Sequence, residues 1–176
     1  GFVLQVEGGK VDWAAHGNDI GALLFDQLAF DDAVRVAIDF AKKDGNTLVV
    51  ITSDHGNANP GLIYGKECNK NFDNLAHFLH TNDFTLQSIN LTDSVSQVRD
   101  LLTHNFGNIP FSQEEAKEIL SFYTEGKQED GLYNYKKLPY RLLAEIQKKH
   151  TSVGWISMDH SSDYTELAMY GPGSQN

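Results

Sequence analysis

Apolar positions along the chain follow two periods, and they divide it into three stretches. Residues 2–6 accumulate apolar side chains without alternation, as a strand buried on both faces does, and Glu7-Gly8-Gly9 ends the run. A short helix is expected from about Val11 through Ala14, Ala15 and His16. A longer one covers roughly 20–43, where Phe30, Ala33, Val34, Ala37, Ile38 and Ala41 form a single stripe at helical spacing. Asp44-Gly45-Asn46 stops it, with Gly45 suited to a left-handed cap. Residues 47–52 are a β-branched run of strand length. Strand, helix and strand in this order predict a right-handed crossover, and hence a parallel pairing of 2–6 with 47–52.

Beyond Pro60 the pattern changes. Residues 61–74 read as loop, and 75–79 and 84–89 as short strands or irregular segments. Asp93 is a candidate cap for a helix over 94–104, with Val95, Val98, Leu101 and Leu102 as its stripe. Ser112-Gln113-Glu114-Glu115 is a capping-box signature for a helix to about Tyr123. Residues 125–134 are polar and turn-rich, Pro139 suits the first position of a helix to about Lys149, and 164–170 is a last strand before Gly171-Pro172-Gly173. The expected architecture is an α/β core in residues 1–61 and 151–176, interrupted by a mostly helical insertion over 62–150.

Composition narrows the classes. The 176 residues are 40% hydrophobic and 11% aromatic, enough to bury a core and too apolar for disorder throughout. No apolar run approaches the ~20 residues of a membrane-spanning helix. Fourteen basic against 24 acidic side chains give a net charge of −10, which disfavours nucleic acid and anionic membranes as partners. An anionic substrate would need cations to reverse that field locally. A single cysteine, Cys68, excludes an internal disulfide and tetrathiolate zinc patterns. The chain opens without Met inside an apolar run, so it reads as the tail of something longer.

Candidate chemistry collects at strand ends. Asp12 and His16 stand four apart, which on a helix places carboxylate and imidazole on one face within reach of a common ion. Asp54 and His55 follow strand 47–52 directly, where ligands gather in parallel α/β sheets, and Gly56 permits the backbone to turn there. Glu7 ends the first strand at the same sheet edge. His160 lies in a polar loop where the chain returns to the core. Carboxylates and imidazoles converging at one edge repel unless cations bind between them, which outlines a dinuclear or trinuclear metal site. His77, His80, His104 and His150 read as structural or solvated, and Cys68 as a free, non-catalytic thiol.

Four blocks together are recognisable. Val6-Glu7-Gly8-Gly9-Lys10-Val11-Asp12-Trp13-Ala14-Ala15-His16, Phe30-Asp31-Asp32-Ala33-Val34, Thr52-Ser53-Asp54-His55-Gly56, and His160 ahead of Ala168-Met169-Tyr170-Gly171-Pro172 resemble the C-terminal half of alkaline phosphatases. The resemblance covers about residues 1–60 and 153–176, and implies a three-layer, mostly parallel sheet with helices on both faces. It implies Asp12, His16 and His160 as ligands of one zinc, Asp54 and His55 as two ligands of a second, and Glu7 as a ligand of a magnesium. The implied reaction is hydrolysis of small phosphate monoesters through a covalent phosphoserine or phosphothreonine. Its nucleophile, the Asp shared between the second zinc and magnesium, and the phosphate-clamping Arg are expected before the first residue here. Trp13 stands where relatives often carry Lys or His, a departure that alters the field near the phosphate. The implied setting is periplasmic or secreted, with a homodimer possible. A sulfatase, phosphodiesterase or phosphomutase shares the two-metal core, and a non-catalytic metal-binding module is the alternative of another class.

Overall fold

The computed structural model describes residues 1–175. Helix α1 (Gly9–His16) begins where Gly8 lies against α2; a Cβ on Gly8 would sit 2.8 Å from the Phe30 ring. Asn18 takes a left-handed φ of 44°, and Asp19 then caps α2 (Ile20–Asp44) by accepting the Ala22 N–H at 2.9 Å. Gly45, at φ 67°, closes α2 as the sequence predicts.

Strands β1 (Val49–Thr52), β2 (Gly56–Asn57) and β3 (Pro60–Leu62) lead outward. Helices α3 (Cys68–Asp73), α4 (Asn82–Gln87), α5 (Val95–Asn105), α6 (Gln113–Thr124) and α7 (Tyr140–Thr151) follow, with a 3-10 turn over Asn74–His77. The chain returns through β4 (Val153–Trp155), β5 (His160–Ser161) and β6 (Leu167–Tyr170). Each returning strand pairs antiparallel with an outgoing one: β3 with β4, β2 with β5, β1 with β6. The outgoing and returning segments thus form one interrupted ribbon, and the helical segment between β3 and β4 leaves from its far end.

Several expectations are corrected here. Residues 2–6 form no strand; Phe2, Val3, Leu4 and Val6 are exposed, because no neighbouring strand among the described residues offers them a ladder. The partner of β1 is β6, antiparallel, so the expected parallel pairing is not among the described ones. In the stripe on α2 only Ala41 is buried, and Ala33 and Ala37 are exposed. Segment 84–89 falls mostly in α4, capped by Thr81, and 75–79 largely in the 3-10 turn; within 61–74, β3 and α3 form. Ser94 rather than Asp93 caps α5, through a reciprocal capping box with Gln97. The box predicted at Ser112 and Glu115 forms on α6.

The core lies within the helical segment. Val98, Leu102 and Phe106 from α5 and its end meet Ala116 and Ile119 of α6, Leu143 and Ile146 of α7, and Met158 from the return loop. Met158 therefore ties the stretch leading to His160 into this buried core.

Candidate metal centre

Helix α1 presents Asp12 and His16 on one face, with His16 Nε2 3.5 Å from Asp12 Oδ2. His16 is buried, and its Nδ1–H donates to the Met158 carbonyl at 2.6 Å. A carbonyl only accepts, so this bond places the proton on Nδ1 and leaves the Nε2 lone pair facing the cluster. Such an outer hydrogen bond fixes tautomer and ring orientation in metal-binding histidines.

His160 arrives from the returning strand. Its Nε2 lies 3.0 Å from His16 Nε2 and 3.7 Å from Asp12 Oδ1. Two nitrogens bound to one tetrahedral zinc at about 2.0–2.1 Å stand about 3.3 Å apart, close to this spacing. The His55 ring stacks on His160, with centroids 3.6 Å apart and planes 25° from parallel. Ligating atoms of Asp12, His55 and His160 all lie within 4.8 Å of one another.

Local irregularity of the ribbon makes this convergence possible. Residues 53–55 on the outgoing side face 162–166 on the return, and 58–59 face 156–159. The longer returning segments bulge, as strands beside functional sites often do. The Ala58 carbonyl accepts from both Ile156 and Ser157 N–H, at 3.1 and 3.2 Å, which fixes the second bulge. Asn18 Nδ2 donates to Ala15 O and Ser157 O, joining the end of α1 to the same loop. Gly56 lies opposite Ser161, where a Cβ would collide with the Ser161 hydroxyl.

Two predicted residues stand apart from the tight cluster. Asp54 is exposed, with Oδ2 3.6 Å from His55 Nε2. Glu7 is exposed and folds back over Gly9. Outside the cluster, His80 stacks on Phe84 and His150 pairs with Glu115.

Asn57 is a site residue that sequence reasoning missed. Its Nδ2 donates to Asp12 Oδ1 at 2.7 Å and to the Asp12 carbonyl at 3.2 Å, while its own Oδ1 is buried without a partner. The only sequence signal was its position three residues after Asp54. Nearby, burial pushes the Asp19 carboxyl up to about 6, against backbone N–H bonds from Ala22 and Asn82 that favour its charged form.

One carboxylate and three imidazoles, with at least one ring held as a lone-pair donor, make a donor set suited to a borderline-soft divalent cation. The fold and this set together outline a candidate site for divalent cations at the junction of α1 and the ribbon. The sequence profile of the alkaline phosphatase family matches residues 1–176, and the chain belongs to that family. It is 30% identical to alkaline phosphatase 4 of Bacillus subtilis over 177 residues, 99% of this chain and 35% of that protein. Over 58 residues, 33% of this chain and 13% of the relative, it is 50% identical to streptomycin-6-phosphate phosphatase of Streptomyces griseus. Among solved structures, the alkaline phosphatase of Thermus thermophilus superposes with a TM-score of 0.84 at 26% identity, covering 99% of this chain and 39% of that one. The chain thus has an alkaline-phosphatase-like α/β fold and spans little more than a third of the length of these full-coverage matches.

Proposed function

We propose that the chain supplies the metal-binding face of a phosphate monoester hydrolase. The observation that carries this reading is the convergence of Asp12, His16, His55 and His160, drawn from three separated segments of a family member. Asp12, His16 and His160 would hold one zinc, Asp54 and His55 would contribute to a second, and Glu7 to a magnesium. The distances support the first set. The 3.6 Å approach of Asp54 to His55 supports the second, and Glu7 rests on the resemblance. When bound, such ions stabilise the attacking and leaving oxygens of an in-line phosphoryl transfer and offset the chain's negative field.

The chain's own residues position that chemistry. The Met158 carbonyl orients His16, Asn57 orients the Asp12 carboxylate, and stacking on His55 restricts the His160 ring. The nucleophilic hydroxyl belongs, in this reading, to a part of such enzymes that residues 1–176 do not match. The same part would cover apolar residues 2–6 and complete a three-layer, mostly parallel sheet. Small phosphate monoesters as substrates, periplasmic or secreted location and a homodimer belong to this reading.

Zinc titration by calorimetry, beside hydrolysis of a chromogenic phosphate monoester, tests it. Residues 1–176 should bind zinc without turnover. Failure to bind zinc, with His16→Ala and His160→Ala indistinguishable from the parent, would overturn the reading. Robust zinc-dependent hydrolysis would instead show that these residues supply their own nucleophile.

A further inference from the structure

Beside the cluster lies a group of aromatic rings that the metal-binding reading leaves without a role. Tyr133, in the loop between α6 and α7, sets its ring edge-on to His16, with centroids 5.1 Å apart and planes at 76°. It also faces Trp13, the residue after Asp12 on α1, at 6.5 Å, and Tyr135 at 6.4 Å. All three rings are exposed: Trp13 by 62%, Tyr133 by 45% and Tyr135 by 84%.

The backbone that presents them is specifically held. Tyr133 has a φ of 64°, a left-handed conformation that disfavours a bulky side chain by about 1–3 kcal/mol. Asn134, itself buried, braces the loop: its Nδ2 donates to Glu129 O and Leu138 O, and its Oδ1 accepts the Leu138 N–H. Gly131 lies against Met158, the residue whose carbonyl holds His16. A loop serving only to cover His16 would not need a strained tyrosine left half exposed, with further exposed aromatics beside it.

We propose that Trp13, Tyr133 and Tyr135 form an aromatic wall that receives the leaving group of the substrate and selects aryl over alkyl phosphate monoesters. The proposal rests on the phosphatase reading, in which the cluster holds the phosphoryl end. A ring attached to that phosphoryl group falls beside Tyr133 and Trp13, where offset or edge-on aromatic contacts are favourable. The phenolic hydroxyls of Tyr133 and Tyr135 add hydrogen-bonding tips to an otherwise apolar wall.

Binding of non-hydrolysable phosphonates to the zinc-loaded chain tests this, read by calorimetry and by Trp13 fluorescence in a Trp155→Phe background. Phenylphosphonate should bind about three- to tenfold more tightly than methylphosphonate and should quench Trp13. Tyr133→Phe should retain the preference. Tyr133→Gly, free of strain at this φ, should keep the protein folded yet bring the ratio near one. Inorganic phosphate binding with no preference for phenylphosphonate, or an unchanged preference in Tyr133→Gly and Tyr135→Ala, overturns the aromatic wall alone. Zinc binding without phenylphosphonate binding also overturns the aromatic wall alone, and failure to bind zinc overturns the phosphatase reading with it.

Discussion

His16 and His160 are separated by most of the chain, yet their Nε2 atoms lie 3.0 Å apart with the Asp12 carboxylate beside both. Because His16 Nδ1–H is committed to Met158, the His16 Nε2 offers a lone pair to whatever lies between the rings. Replacing either histidine by Ala should lower zinc affinity at least about 100-fold. Affinity of the parent should fall as pH is lowered, because ligation requires neutral imidazole. Calorimetric titrations at pH 7.5 and 5.5 give both readings, and equal zinc affinity at the two pH values would contradict the assignment.

Asn57 Nδ2 holds the Asp12 carboxylate through its Oδ1. Removing an outer hydrogen bond of this kind commonly weakens a metal site about 10- to 100-fold. Asn57→Ala should show that loss in zinc affinity while the helical core, which lies elsewhere, keeps its thermal transition. A variant that loses core stability and zinc affinity together would mark Asn57 as merely structural.

Asp19 couples the turn after His16 to α4. Its carboxylate accepts from Ala22 N–H and Asn82 N–H, and burial raises its pKa to about 6. The folded value lies above the unfolded ~3.9, so the folded state binds the proton more tightly. The associated stability is present below about pH 4 and lost as pH rises through about 6, on the order of 2–3 kcal/mol. Urea unfolding of the parent and Asp19→Asn across pH 4–7 should differ by that slope. Parallel profiles would refute the assignment.

Glu115 is the opposite case. Burial alone would push its carboxyl up, but the Ser112 N–H, His150 and Lys149 together outweigh burial and hold it below the usual range. Its contribution is therefore present above the unfolded value near 4.3 and lost as pH falls through the lower folded one. Glu115→Gln should cost about 1–2 kcal/mol at pH 7, and the difference should shrink under acid. Chemical denaturation at pH 7 and pH 3 checks it; a deficit that grows in acid would refute it.

How much of this was legible depended on the range of the interaction. The box of Ser112 and Glu115, the Gly45 cap and the four-residue spacing of Asp12 and His16 are contacts within a turn or two of helix. The residue types at those offsets therefore announced them. Asn57 and Tyr133 carried no such signal, because an amide and a phenol acquire a role only from what the fold sets beside them.

The sequence by itself determined the long helices, the Gly45 cap, the Ser112–Glu115 box, the family and the residue types of the donor set. The helices and those caps follow from periodicity and side-chain chemistry at short spacing, and the family from the four recognisable blocks. Only the tertiary structure decided that β1 pairs antiparallel with β6, that residues 2–6 and much of α2 stay exposed, and that two bulges bring His160 onto His16 and His55. An apolar period states that a face seeks burial and leaves open against what. That choice belongs to the surfaces available after the chain has closed its long loops, and here the returning strand was the one within reach of β1.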